Sequence, residues 1–176
     1  LLARKAGITG SCQPSLVDSG VKYEMAGIEL EDPRRIDIYL GSEIAPRGYV
    51  WIFPKGEHVA NVGVGIAGND PNVARSYLDE FIASSPSLRK GSIVEVNAGC
   101  VPVGGFLKDM VTNGMLVVGD AARQVNPLHG GGIAEAMFAA RIASSVVKSA
   151  FEKGDFSKAT LSEYNELWWR ERGNKL

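Results

Sequence analysis

Asp120 and the three glycines Gly130, Gly131 and Gly132 are the residues of this chain whose types and spacing could do chemistry. They share one stretch, Gly114-Met-Leu-Val-Val-Gly-Asp-Ala-Ala-Arg-Gln-Val-Asn-Pro-Leu-His-Gly-Gly-Gly-Ile. A carboxylate at the carboxyl end of a strand accepts hydrogen bonds from the hydroxyls of a sugar or a ribityl chain. Glycines just before a helix let backbone N–H groups approach a ligand where the helix N-terminus favours negative charge. A flavin meets both demands. Its ribityl hydroxyls suit Asp120, and its reduced ring carries negative charge near the pyrimidine oxygens, which suits the glycine turn and Ile133. The same letters also serve a plain strand, loop and helix in which the glycines only make a turn.

The elements that must hold these residues are legible on either side. Met115 to Val118 is a short unbroken apolar run, the pattern of a strand buried on both faces, and it stops at Gly119-Asp120. From Ile133 to about Phe151 good helix formers with almost nothing polar on one face predict a buried helix. Gly154-Asp155-Phe156-Ser157 breaks it, and Leu161, Tyr164, Leu167 and Trp168 mark one more helix. Trp168-Trp169 beside Arg170 and Arg172 reads as an interfacial patch, or as a surface that packs on something further along. His129 lies in the loop, either bonded to backbone or as a proton donor to a substrate carbon.

Gly119, Asp120, Ala121, Ala122, Pro127, Gly130 and Gly132 match the pattern G-D-A-A-x-x-x-x-P-x-x-G-x-G. This resembles the second flavin-contacting motif of the large FAD-dependent family that includes para-hydroxybenzoate hydroxylase and geranylgeranyl reductases. The resemblance implies bound FAD, with Asp120 on the ribityl chain and Gly132 and Ile133 presenting backbone to the isoalloxazine. Gly119, Pro127, Gly130 and Gly131 complete the implied cofactor-binding set. It also implies a βαβ unit with G-x-G-x-x-G upstream of Leu1. The chain itself opens on Leu1, Leu2 and Ala6, read as the last turns of a helix stopped by Gly7.

Gly63-Val-Gly65-Ile-Ala-Gly68 matches the dinucleotide fingerprint letter for letter. Asn69-Asp70-Pro71 follows at once, so the next helix starts at Pro71 with Asp70 as its cap. That leaves the glycines on a strand and its exit, away from any helix N-terminus, and argues against phosphate binding there.

Val17 to Met25 and Arg34 to Leu40 alternate like half-buried strands. Gly48 to Glu57 and His58 to Ile66 form a hairpin about Lys55-Gly56-Glu57. Alternation puts Tyr49, Trp51 and Phe53 on one face and Val50 and Ile52 on the other. The three rings are either sheet core or the wall of a pocket for a long apolar or planar substrate. Pro71 to Ser84 reads as a helix with Val73, Tyr77, Leu78 and Phe81 inward, and Ser92 to Val101 as a strand. Cys100 is expected as a small buried residue, with a redox role beside a flavin as the alternative.

Pro46-Arg-Gly-Tyr49-Val-Trp51-Ile-Phe53-Pro54-Lys55-Gly56, followed by Asn61-Val62-Gly63-Val64-Gly65, is similar to the Y-x-W-x-F-P segment of archaeal geranylgeranyl reductases. In that family the segment lies on the substrate side of the flavin, which implies Tyr49, Trp51, Phe53 and Pro54 as substrate-binding residues. The implied reaction moves a hydride from N5 of reduced FAD to an isoprenoid C=C bond of a prenylated glycerophospholipid. The electron donor, nicotinamide or ferredoxin, has no signature here. A flavin monooxygenase or halogenase of the same superfamily is the rival enzyme. A lipid-binding or structural segment without flavin is the non-enzyme alternative.

Composition sets bounds. Apolar residues make up 45% of the 176 and charged residues 22%, ordinary for a soluble globular protein with one good core. A net charge of −1 without a basic stripe argues against nucleic acid. No apolar run is long enough to span a membrane, so the expected location is cytoplasmic, with peripheral contact at the inner membrane face. His58 and His129 supply no metal constellation, and the two cysteines, Cys12 and Cys100, predict no assured disulfide. The expected fold is α+β / α/β, part of an FAD-binding Rossmann-like domain with an inserted, mostly antiparallel β-sheet substrate domain. Its expected divisions are 1–16 as the end of an upstream FAD-domain segment, 17–103 as the sheet, 104–152 as the FAD-binding strand-loop-helix and 153–176 as a helical region.

Overall fold

The computed structural model describes residues 2–8, 10, 13–68 and 70–176, and Cys12 lies outside them. The chain divides into two compact units, residues 14–101 and residues 1–13 together with 102–176. It starts with a single helical turn, α1 (Leu2–Lys5), after which Gly7 takes a positive φ of 85°.

Residues 14–101 build one sheet with a helix on one face. The strands are β1 (Val17–Ala26), β2 (Asp37–Leu40), β3 (Tyr49–Pro54), β4 (Val59–Ala67) and β5 (Ser92–Pro102), in the spatial order β2-β3-β4-β1-β5. The pairs β2–β3, β3–β4 and β1–β4 are antiparallel. The hairpin falls where the turn residues put it, closed by the Lys55 N–H donating to the Val59 carbonyl at 2.8 Å. Strand β2 is shorter than the alternating run. The Arg34 N–H donates to the Asp32 carboxylate and the Arg35 N–H to the Asp32 carbonyl, so a turn occupies the expected start of the strand.

Helix α2 (Pro71–Ser84) begins as its sequence requires, with Pro71 first and the Asp70 carboxylate accepting from the Asn72 N–H at 2.9 Å. It buries Ala74 and Leu78 against Val21, Met25, Val62 and Val64 of the sheet. The fully buried Tyr23 donates its hydroxyl to Asp79 at 2.7 Å and ties β1 to the helix. Val73, expected inward, is 46% exposed, because the packed stripe runs one position later. Cys100 is exposed rather than buried: it lies on the edge strand β5, whose side chains are open along most of its length.

The other unit is mostly helical. Its strands β6 (Val111–Thr112) and β7 (Met115–Leu116) form a two-residue antiparallel ladder. The four-residue strand expected over 115–118 is thus halved. The Val117 N–H turns to the Met110 carbonyl at 2.9 Å, and a 3₁₀ turn begins at Gly119 with φ 62°. Helix α3 (Ile133–Lys153) ends at Gly154 in the left-handed region, as glycine allows. It is buried along one face only, through Ala139, Ile142, Val146 and Ala150, whereas Ile133, Met137 and Phe151 are exposed. The buried helix expected here is thus buried on one face and open on the other.

Helices α4 (Lys158–Leu161) and α5 (Glu163–Glu171) close the core with Leu161, Tyr164 and Trp168. Trp168 has no exposed surface and sits edge-on to Phe106 at 5.7 Å. Trp169 packs on the same ring and donates its indole N–H to the Lys108 carbonyl at 3.4 Å. Trp168 is therefore interior packing, with Trp169 half-buried beside it.

Candidate functional site

The turn around Asp120 is built on a buried amide. Gln124, with no exposed surface, accepts the Gly119 N–H on Oε1 at 2.7 Å. Its Nε2 donates to the Tyr164 hydroxyl at 2.8 Å and lies 3.2 Å from Met110 Sδ. Burial pushes the Tyr164 hydroxyl up to about 12. The Arg123 N–H donates to the Asp120 carbonyl, and Arg123 itself takes a left-handed φ of 57°, uncommon without glycine. The 3₁₀ turn so formed leaves the Asp120 side chain exposed.

Residues 126–132 form a second tight turn. The Asn126 N–H donates to the Gly131 carbonyl, the Gly130 N–H to the Asn126 carbonyl, and the Leu128 N–H to the Asn126 side chain. The Gly131 N–H donates to His129 Nδ1 at 3.1 Å, which binds the imidazole into the turn. Gly130 and Gly131 thus spend their N–H groups locally. Helix α3 then opens at Gly132 with no side-chain cap, so the N–H groups of its first turn are the donors that point outward.

The two turns meet. A Cβ built on Gly132 would stand 3.0 Å from Asp120 Oδ1 and 3.4 Å from Val125 Cγ2, so any side chain there would press the carboxylate out of its present position by a few tenths of an ångström. Around this point Pro127, Leu128 and Ile133 are exposed. An acceptor carboxylate, an uncapped helix N-terminus and flanking aliphatic side chains fit a ligand with hydroxyl donors, an electron-rich ring edge and a planar apolar body. Those are the demands a flavin makes.

One further contact was invisible in the sequence. Glu135, in the first turn of α3, is almost fully buried and accepts both Arg172 Nε and Nη2 at 2.7 Å. The guanidinium lies 5.7 Å from the Phe138 ring, whose centroid also has Arg141 at 4.6 Å.

In the sheet unit, Tyr49, Trp51 and Phe53 stand in file along β3, with centroid separations of 5.7 and 5.9 Å. Val50 and Ile52 point to the α2 side and are buried, as alternation requires. Burial raises the Tyr49 hydroxyl above its ordinary value. Directly opposite on β4, Gly63 pairs with Trp51 and Gly65 with Tyr49. A Cβ at Gly63 would fall inside the Trp51 indole. Gly63 and Gly65 of the fingerprint therefore make a bed for the rings. Their signal was present in the sequence, since the hairpin turn fixes which β4 residues face Trp51. Ile38 and Leu40 of β2 oppose Trp51 and Tyr49 and extend the apolar surface. Pro54 ends the strand opposite Ala60.

Among the described residues no cluster of His, Cys, Asp or Glu could hold a metal ion, and no helix is long and apolar enough to cross a membrane.

The fold is shared with the flavin-dependent halogenase CmlS, at a TM-score of 0.67 and 18% identity over 99% of this chain and 33% of that one. It is shared more closely with a geranylgeranyl bacteriochlorophyll reductase-like protein from Thermoplasma acidophilum, at a TM-score of 0.86 and 37% identity over 94% of this chain and 42% of that one. This places the chain in a mixed α/β class with an antiparallel sheet. Residues 17–101 match the family model described as geranylgeranyl reductase catalytic domain. Digeranylgeranylglycerophospholipid reductase 2 of Methanosphaera stadtmanae is 44% identical over 94% of this chain. The chain spans 42% of the length of that relative. The chain is thus similar to the geranylgeranyl reductase catalytic domain over residues 17–101, and to relatives of that kind over most of its length.

Proposed function

We propose that the protein carrying this chain is an FAD-dependent reductase of isoprenoid C=C bonds in the geranylgeranyl chains of archaeal-type membrane lipid precursors, with a prenylated glycerophospholipid as substrate. The observation that carries the reading is the juxtaposition of Asp120 with Gly132 at an uncapped helix start, in a chain 44% identical to a relative of that name.

When bound, reduced FAD supplies the hydride for one carbon of the alkene. Asp120 accepts the ribityl hydroxyls. The backbone at Gly132 and Ile133 donates to the pyrimidine edge, while Gly119, Pro127, Gly130 and Gly131 hold that backbone in shape. Tyr49, Trp51, Phe53 and Pro54 bind the prenyl chain by apolar contact and exclude water from it. The alkene has no carbonyl to polarise, so a proton must reach the second carbon. Water or a residue near the aromatic wall, Tyr49 among them, is the candidate source. Because the substrate is a lipid, the protein works at the membrane surface, as a peripheral protein of its cytoplasmic face.

The test is anaerobic incubation of the full-length protein with reduced flavin and an unsaturated archaeal lipid. The expected product gains mass in pairs of hydrogens. An unchanged lipid overturns the proposal, and an oxygenated or halogenated product in a parallel incubation with oxygen and halide admitted assigns the protein to the rival chemistry of its superfamily.

A further inference from the structure

Glu135 occupies the third position of α3, about 4.5 Å along the axis from Gly132 at the standard helical rise. A carboxylate so close to a helix start normally interacts with the positive end of the dipole and cancels part of its potential. Here the carboxylate is turned inward and almost fully buried, and both of its oxygens are taken by the two-pronged guanidinium of Arg172. Arg172 comes from the far end of α5, where its own N–H donates to the Trp168 carbonyl at 2.9 Å. The fork is held in orientation by Phe138. The pair is neutral as a unit, so the first-turn N–H groups of α3 keep their positive potential for whatever anion meets them.

We propose that Arg172, acting through Glu135, is a positioning residue that sets the reduction potential of the flavin at the start of α3. The inference rests on the flavin reading above. Reduction places negative charge on the pyrimidine edge of the flavin, and a Glu135 stripped of its partner would oppose that charge. An Arg172 stripped of Glu135 would favour it. Opposite shifts from the two ends of one ion pair are the signature, since a purely mechanical staple would lower stability and leave the potential in place.

The experiment measures the midpoint potential of bound FAD in the full-length protein by dye equilibration, alongside thermal unfolding. Arg172→Gln is expected to disfavour reduction about tenfold, a fall of about 30 mV for a two-electron couple. Glu135→Gln is expected to raise the potential by a similar amount, and the double variant to return it to the starting value. Where Arg172→Gln fails to fold, the isosteric Glu135→Gln carries the test. Flavin-loaded variants whose potentials stay at the wild-type value, or shift in the same direction, overturn the inference. A wild-type protein that binds no flavin overturns the functional reading instead.

Discussion

The carboxylate of Asp120 lies against the backbone of Gly132, so near that a Cβ there would start 3.0 Å from Oδ1. Two turns twelve residues apart in sequence thereby present an acceptor and a set of helix-start donors at one place. Asp120→Ala in the full-length protein is expected to weaken FAD binding about 10- to 100-fold, the worth of a charge-assisted hydrogen bond or two. Gly132→Ala should weaken it by steric displacement of the same carboxylate. Titration of the apoprotein with FAD checks both, and an unchanged affinity for Asp120→Ala would remove this residue from the cofactor site.

The bed of Trp51 yields a prediction that needs no ligand. Gly63→Ala forces the indole off β4 and is expected to cost about 1–3 kcal/mol, as overpacking does. Trp51→Ala in the same chain should relieve most of the clash, so that the double variant is less destabilised than the sum of the singles. Denaturant unfolding of the four proteins measures this. Additive losses would mean that the ring and the glycine do not share the space.

Gln124 joins the Asp120 turn to α5 and has no exposed surface. Gln124→Ala leaves the Gly119 N–H and the Tyr164 hydroxyl without their partner and is expected to cost about 2–3 kcal/mol. Tyr164 adds a pH signature. Its folded value of about 12 lies above the ordinary 10, so its contribution is complete below pH 10 and is lost as pH rises toward 12. Chemical denaturation on the alkaline side should show this decline in the wild type and a flatter curve in Tyr164→Phe.

Asp109 gives the opposite sign. A hydrogen bond from Lys158, then those from Asn165 and the Val111 N–H, hold its carboxyl below the ordinary 3.8. Its stabilisation is therefore present above pH 3.8 and fades as pH falls through the lower folded value. The Asp109 and Lys158 side chains are each 51% exposed, so solvent screening keeps the effect below about 1 kcal/mol. Acid titration of Asp109→Asn, followed by unfolding, should lose this part of the slope.

What was legible in the sequence was what local chemistry decides. The hairpin about Lys55-Gly56-Glu57, the start of α2 at Asp70-Pro71 and the stop of α3 at Gly154 all follow from turn and cap residues. The pairing of Asp120 with Gly132 could be anticipated only as a motif. What escaped was set by distant partners. Nothing near Gln124 announces Tyr164 forty residues on, and nothing near Arg172 announces Glu135. Cys100 looked internal by type, yet its strand is at the sheet edge. Trp168-Trp169 looked amphipathic beside arginines, yet one of those arginines is turned inward to the Glu135 carboxylate.

Helix α5 grips the span between Gly119 and Glu135 at both ends, through Tyr164 and Gln124 on one side and Arg172 on the other. Such a span cannot fray from one side alone. Its amides, from Gly119 through to Ala136, should exchange with solvent in a single concerted opening whose frequency is governed by the undocking of α5.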